Sequence, residues 1–420
     1  MSTIEKHDMT QGKILLPLVS FTIPLVLGNL FQLTYNAADS VIVGKYVGEQ
    51  ALAAVGTSTP IMNIAILLIS GMCMGASVLM SSQYGAKDYD TLSRQISTTM
   101  LAGCGFSVVF SLLMLLLANP VLRFIRVPET AIPEAAAYLR IIFMGLIFTF
   151  MYNFLANTMR ALGDSKTPLY FLVTSAFLNI FGDLFFVVVL RWGVAGSAIA
   201  TVCSEGLCCL LCGIYIKKKI PLLCLGKKWW VFDKSLLGKT VSYGSTSAMQ
   251  QVCLQLGKLI IQSVVNTQGV AVMAAFTAVN RVDDFAYTPQ QNIGHAMTTF
   301  LAQNKGAGHK ERMKKGFQTG LLIELVYSIG LFCVIWGLAP QIMTLFAEDG
   351  DAQVVSLGIS YLHLISWMYI LPGMTNGIQG FFRGIGDLKV TLYSTFMNMF
   401  GRVVAVFAMI RLLHMDFASL

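Results

Sequence analysis

Asp39 and Asp183 stand inside long apolar runs, where a carboxylate needs a reason. Asp183 lies in LYFLVTSAFLNIFGDLFFVVVL (169–190), a stretch long enough to cross a bilayer, with Asn179 one helical turn before it. A carboxylate at the centre of a spanning helix is disfavoured by about 2.5–3.5 kcal/mol on insertion scales, so it is kept for a partner or a task. Asp39 sits in TYNAADSVIVG, with Tyr35 and Asn36 four and three residues earlier, on the same helical face. Thr201 and Glu205 repeat the four-residue spacing, and Asn157 adds an amide in another apolar run. Oxygen ligands drawn from several helices suit a hard monovalent cation, and clustered carboxylates suit a proton carrier. Asp39, Asn157, Asn179, Asp183 and Thr201 therefore form a candidate cation site, which needs no other metal than Na+. Glu205, nearer the cytoplasmic half of its helix, reads as structural. The competing reading of all these residues is a polar network between helices, with contacts worth about 0.6 kcal/mol each.

A second polar constellation appears in VNRVDDFAYTPQQNIGH (279–295), where Arg281 precedes Asp283 and Asp284; Arg402, in a later apolar run, completes it. An internal ion pair of Arg281 with these acids is the expectation. Lys258, Glu324, His295 and His363 are isolated polar residues with weaker claims. No nucleophile paired with a base, phosphate loop or metal motif is found, so no catalytic residue is assigned and an enzyme is not expected. The nine cysteines lie almost wholly in apolar runs without the paired spacing of a zinc site, and read as small apolar filler.

The elements that must position these residues follow from composition. The 420 residues are 55% hydrophobic and 12% charged, against about 25% charged in soluble domains, with a mean hydropathy of +0.69. This is an all-α polytopic membrane protein, since lipid-facing backbone must satisfy its own hydrogen bonds and no ten-residue alternating strands suggest a barrel. Spans are expected at 14–43, 50–82, 92–118, 133–159, 167–190, 193–216, 236–265, 270–302, 314–338, 353–381 and 388–411. Pro24, Pro60, Pro289 and Pro372 fall inside them and predict bends. The first run lacks a cleavage site and reads as a retained helix.

The net charge of +8 does not indicate nucleic acid, because most of the 29 Lys and Arg residues sit in alternate loops between the runs. Lys6, Lys13, the stretch 217–239 and the stretch 305–315 fall on one side, which places the N-terminus in the cytoplasm of a plasma-membrane protein. Arg123, Arg126 and Arg191 belong to the smaller set on the other side.

The chain also repeats itself at an offset near 220 residues. YVGEQALAAVG (46–56) aligns with TQGVAVMAAFT (267–277), SSQYGAKD (81–88) with LAQNKGAGH (301–309), AAYLRI (136–141) with ISYLHL (359–364), and RALGDSKTPLY (160–170) with RGIGDLKVTLY (383–393). Two copies of a six-helix unit are implied, related by a parallel pseudo-two-fold axis because an even helix number preserves orientation. The copies are 1–216, carrying the cation site, and 236–420, separated by a basic cytoplasmic linker at 217–235. Arg411 aligns with Arg191, so the second copy is expected to lack its last helix, giving eleven spans. The copies differ in chemistry: LNIFGD of the first aligns with MNMFGR of the second, which sets Asn398 against Asn179 but Arg402 against Asp183, while Ile261 falls near the register of Asp39.

PLVLGNLFQLTYNAADSVIVGKYVGEQALAAVG (24–56), RALGDSKTPLY and FLAQNKGAGHKERMKKG (300–316) resemble the multidrug and toxic compound extrusion (MATE) family over essentially the whole chain. The resemblance implies two six-helix lobes and export of organic cations or amphiphiles from a monomer in the lipid membrane. Na+ or H+ would be the coupling ion, with no other cofactor. It also implies a first-lobe ion site from an acid in helix 1, Asn and Asp in helix 5 and Thr in helix 6, which match Asp39, Asn179, Asp183 and Thr201, with Asn157 alongside. Some members place a Glu in helix 7, where this chain has Gln250, Gln251 and Gln255, so no ion site is implied there. A flippase for lipid-linked oligosaccharide or peptidoglycan precursors would want a basic cavity, for which only Lys258, Arg281 and Arg402 lie in spans. An intramembrane polyprenyl-diphosphate enzyme would want clustered carboxylates for Mg2+, for which VDDF holds the sole adjacent pair.

Overall fold

The computed structural model describes residues 8–125, 127–220, 230–266, 269–346 and 352–412; Lys6, Arg126 and residues 221–229 at the centre of the basic linker lie outside the described residues. Apolar composition without β-bounded alternation yields helices throughout, and no strand occurs among the described residues. The helices are α1 (Leu15–Tyr46), α2 (Glu49–Gly85), α3 (Tyr89–Phe124), α4 (Ile132–Met144), α5 (Leu146–Ala161), α6 (Lys166–Asp183), α7 (Gly193–Lys219), α8 (Lys234–Val265), α9 (Val270–Gly306), α10 (Lys310–Phe346), α11 (Ala352–Met368), α12 (Ile370–Gly384) and α13 (Leu388–Leu412). A π-helical turn, Leu184–Val189, extends α6. With α4 and α5 joined as one bent rod, and α11 and α12 as another, these make eleven helical rods at the places where the sequence reading puts its spans.

Among the described residues, six helices are by themselves long and apolar enough to cross a membrane, or eight if each bent pair is one span. α8, α9 and α13 fall below that measure; α9 carries Arg281, Asp283, Asp284 and Gln290 along its length. The bends do not all fall at proline. Pro24, Pro60 and Pro289 lie within continuous helices. The sharp breaks are 47° between α4 and α5 and 41° between α11 and α12. The second has a proline cause, since Pro372 lacks the amide that would bind the Met368 carbonyl. The first falls at Gly145, where a Cβ would come within 2.4 Å of Val202, so glycine admits the close approach of α7.

Contacts divide the chain into two units, one built mainly on Ile23–Ala248 and the other on Met249–Lys305 with the chain from His309 onward. In the first, α2, α3, α4 and α5 pack on one another and α7 packs on α4, α5 and α6. Its core includes Ile69, Met80, Leu92, Leu122, Leu139, Phe143, Phe150 and Met159, with the Phe150 and Phe154 rings stacked at 5.7 Å. In the second, α10 packs on α11 and α12 around Val279, Ile335, Met343 and Leu362. There α9 and α12 cross backbone to backbone: a Cβ on Gly380 would meet the Gly294 carbonyl oxygen at 2.6 Å.

The repeat is legible in the turns. After α5, Gly163 takes φ 91°, and after α12 its counterpart Gly386 takes φ 86°. Each is the left-handed residue that stops a helix: Gly163 N donates to Arg160 O and Gly386 N to Arg383 O, both at 2.9 Å. Asp164 then accepts from Thr167 N at 3.0 Å and starts α6. At the head of α3, Asp88 accepts from Thr91 N at 3.1 Å, and hydrogen bonding from Thr91 holds its carboxyl below the usual carboxylate range. Many large apolar side chains stay exposed, among them Leu112, Leu116, Phe177, Phe181, Leu322, Val326, Phe396 and Phe400, as a lipid-facing surface requires.

Candidate cation site

α7 organises the polar residues of the first unit. Ser197, Thr201 and Glu205 recur every four residues and so share one helical face. Each meets a different helix: Ser197 Oγ donates to Asp39 Oδ1 of α1 at 2.6 Å, Thr201 Oγ1 accepts from Asn179 Nδ2 of α6 at 3.2 Å, and Glu205 Oε2 accepts from Thr149 Oγ1 of α5 at 2.5 Å. Tyr35 and Tyr138 stand within electrostatic range of both Asp39 and Glu205. The structure thus brings Asp39, Asn179, Asp183 and Thr201 together. Ser197, Tyr138 and Thr149 join them unannounced, and Glu205, read as structural, belongs to the same cluster. The spacing of Ser197, Thr201 and Glu205 was the available signal, and it becomes meaningful once the α7 face is known to turn inward.

Asp183 ends the α-helical part of its rod, immediately before the π turn. Its side chain is fully buried and neither carboxyl oxygen receives a hydrogen bond, while the Asp39 carboxyl lies within side-chain hydrogen-bonding reach. Asn179 Oδ1 is likewise buried without a partner. Among the described residues, no Lys, Arg or His forms an ion pair with Asp39, Asp183 or Glu205. An uncompensated buried carboxylate costs several kcal/mol, more than the single hydrogen bond from Ser197 returns. Oxygen acceptors outnumber donors here, an arrangement that a monovalent cation or a shared proton would balance.

Asn157 is placed differently. Its Nδ2 donates to the Asn153 carbonyl of its own helix at 2.8 Å, and no hydrogen bond joins it to the acids among the described residues. The eight described cysteines are free thiols, and Cys208 Sγ lies 3.2 Å from the Phe171 carbonyl.

In the second unit the expected ion pair of Arg281 is corrected. Arg281 is exposed and unpaired among the described residues, Asp284 pairs with Lys258 at 3.6 Å, and Asp283 accepts a hydrogen bond from the Tyr369 hydroxyl. Residues two apart on a helix face different ways, which separates Arg281 from Asp283, and α8 supplies the partner that spacing cannot foretell. Arg402 is exposed, within electrostatic range of Asp283. Gln250 donates from Nε2 to Gln379 Oε1 and to Thr395 Oγ1, both at 3.0 Å, and Arg383 Nη2 donates to Gln379 Oε1 at 3.1 Å.

A family model described as MatE matches residues 24–185 and 247–408, once in each half of the chain. The probable multidrug resistance protein YpnP of Bacillus subtilis (strain 168) is 32% identical over 392 residues, 93% of this chain and 86% of that protein. The probable multidrug resistance protein NorM of Thermotoga maritima is 22% identical over 404 residues, 94% of this chain and 85% of its own. Among solved structures, a MOP superfamily transporter from Pyrococcus furiosus superposes with a TM-score of 0.91 at 22% identity, covering 100% of this chain and 93% of the other. An outward-facing multidrug resistance MATE family transporter superposes at 0.89 with 22% identity, covering 97% and 91%.

Proposed function

The chain belongs to the MatE family, and from that premise we propose that it exports cationic or amphipathic organic compounds across the plasma membrane in exchange for Na+ or H+. The observation that carries the ion-coupling half is Asp183, fully buried beside Asp39 with no hydrogen-bond donor on either oxygen. The names of the relatives, probable multidrug resistance proteins, support the substrate class.

In this reading the first six-helix repeat is the coupling lobe and the second a partner lobe, in a monomer whose N-terminus is cytoplasmic. A cation on the Asp39 and Asp183 carboxyls favours one conformation and the exported compound another, so each promotes release of the other in proportion to its differential affinity. Asn179 Oδ1 supplies a neutral ligand, while Ser197 and Thr201 hold Asp39 and Asn179 in place.

The deciding measurement is efflux of an organic cation from reconstituted vesicles under a Na+ gradient alone and a pH gradient alone. One gradient should drive efflux, and Asp183→Asn should reduce it to background while the protein still inserts. Efflux by Asp183→Asn at the unaltered rate would overturn the assignment.

A further inference from the structure

Glu324, in the interior of α10, is fully buried, and neither of its carboxyl oxygens has a hydrogen-bond partner. No Lys, Arg or His pairs with it among the described residues. Nothing in the Asp39 and Asp183 site accounts for it, since those residues belong to the other unit.

The surroundings are built of polar atoms. Gln290, fully buried on α9 directly after Pro289, donates from Nε2 to Ser328 Oγ at 3.1 Å and to the Tyr369 carbonyl at 2.8 Å. Those bonds fix the amide: turned over, it would set Oε1 against a carbonyl that only accepts. Gln290 Oε1 is thereby the atom left over, buried and unpartnered. Ser328, one turn beyond Glu324, donates its hydroxyl to the Glu324 carbonyl at 2.7 Å. Gly373 lies where these groups converge: a Cβ there would stand 2.8 Å from Ser328 Oγ, 3.1 Å from Gln290 Nε2 and 3.3 Å from Glu324 Oε2.

We propose that Glu324, Gln290 and Ser328 form a second monovalent-cation site, in the second unit, in which the Glu324 carboxyl and Gln290 Oε1 take up a proton or Na+. Three buried acceptor atoms without a donor lack a positive charge, whether a proton carried on the carboxyl or a metal ion shared among the lone pairs. The ionisable groups of the packed helices do not supply one. Asp283 is bonded to the Tyr369 hydroxyl, the Tyr327 hydroxyl donates to the Ala286 carbonyl, His363 stacks on Trp336 and Arg383 meets His295. The glycine at 373 lets these polar atoms pack directly against the α12 backbone, where any larger residue would press on Ser328 Oγ.

The proposal is independent of the transport reading, because occupancy is measured without a gradient or a substrate. The full chain in lipid nanodiscs is followed by infrared difference spectroscopy between about pH 5 and 9, with and without Na+, against a K+ control. The Glu324 carboxyl is assigned as the band absent from Glu324→Gln. A proton site converts the neutral-acid band to carboxylate as pH rises, with no response to Na+. A Na+ site makes that conversion at constant pH when Na+ is added. Gly373→Ala, which keeps the carboxyl and crowds Ser328 Oγ and Glu324 Oε2, should displace the midpoint by about tenfold in Na+ or about one pH unit, and identifies the band even if Glu324→Gln fails to fold. A band indifferent to both pH and Na+ overturns the proposal and makes Glu324 a fixed structural acid.

Discussion

The two repeats break their fourth rod at the same place, by 47° at Gly145 and by 41° between α11 and α12, and stop the rod at matching glycines, Gly163 and Gly386. Their acids do not fall at matching positions. In the first repeat two carboxyls face each other without a base. In the second, Asp284 has Lys258, Asp283 has Tyr369, Arg402 occupies the register of Asp183, and the buried acid without a partner is the single Glu324 on α10. Backbone geometry is maintained by local turn residues and close helix approaches, whereas charge is set by individual side chains, so a duplicated frame can carry one chemistry in one copy and another in its sister.

The strongest way to break that contrast is to move the sister residue across. Asp183→Arg should abolish ion-driven efflux, by about 100-fold or to background, because a fixed cation would neutralise Asp39 and occupy the site permanently. Retained ion dependence in the vesicle assay would mean that the pair is not the coupling site. A smaller effect is expected from paired removal of two hydroxyls. Ser197→Ala takes the donor from Asp39 and should shift ion affinity by about tenfold, since hydrogen bonds to charged groups are worth about 1.5–3 kcal/mol. Tyr369→Phe takes the donor from Asp283 and should lower the melting temperature while leaving that affinity unchanged. Equal effects of both on ion titrations would erase the distinction between the repeats. The smallest effect is at the head of α3. Asp88→Ala should cost less than about 1 kcal/mol near neutral pH, as an exposed cap does. Its carboxyl is held below the ordinary range, so the stability it contributes is present above that range and is lost as pH falls through it. Melts of the variant and the unaltered chain should therefore converge in acid.

The sequence displays the eleven rods and four of the clustered residues because each rests on spacing within one helix, and the repeat because matched stretches recur at one offset. Asp183 and Asn179 share a face by arithmetic, whatever packs against them. The partnership of Ser197 with Asp39 and the choice of Lys258 over Arg281 depend on how helices are rotated against each other, which arises from packing between distant segments. Glu324 shows the limit most plainly: as one acid in an apolar run it resembles an accident, and its meaning comes from Gln290 and Gly373, 34 residues before it and 49 after it. The break at Gly145 was also hidden, because no proline marks it.

The π turn at 184–189 has a consequence for how this helix tolerates change. A π turn holds one residue more than the α-helical turn it replaces, so deleting a single residue there would restore ordinary winding and leave Asp183 where it is. Everything beyond it, Trp192 and the entry into α7 included, would otherwise have to turn by about 100°. The aim of the carboxylate and the exit of the chain are thus set by separate stretches of backbone, and a length change on one side can be absorbed without retuning the other.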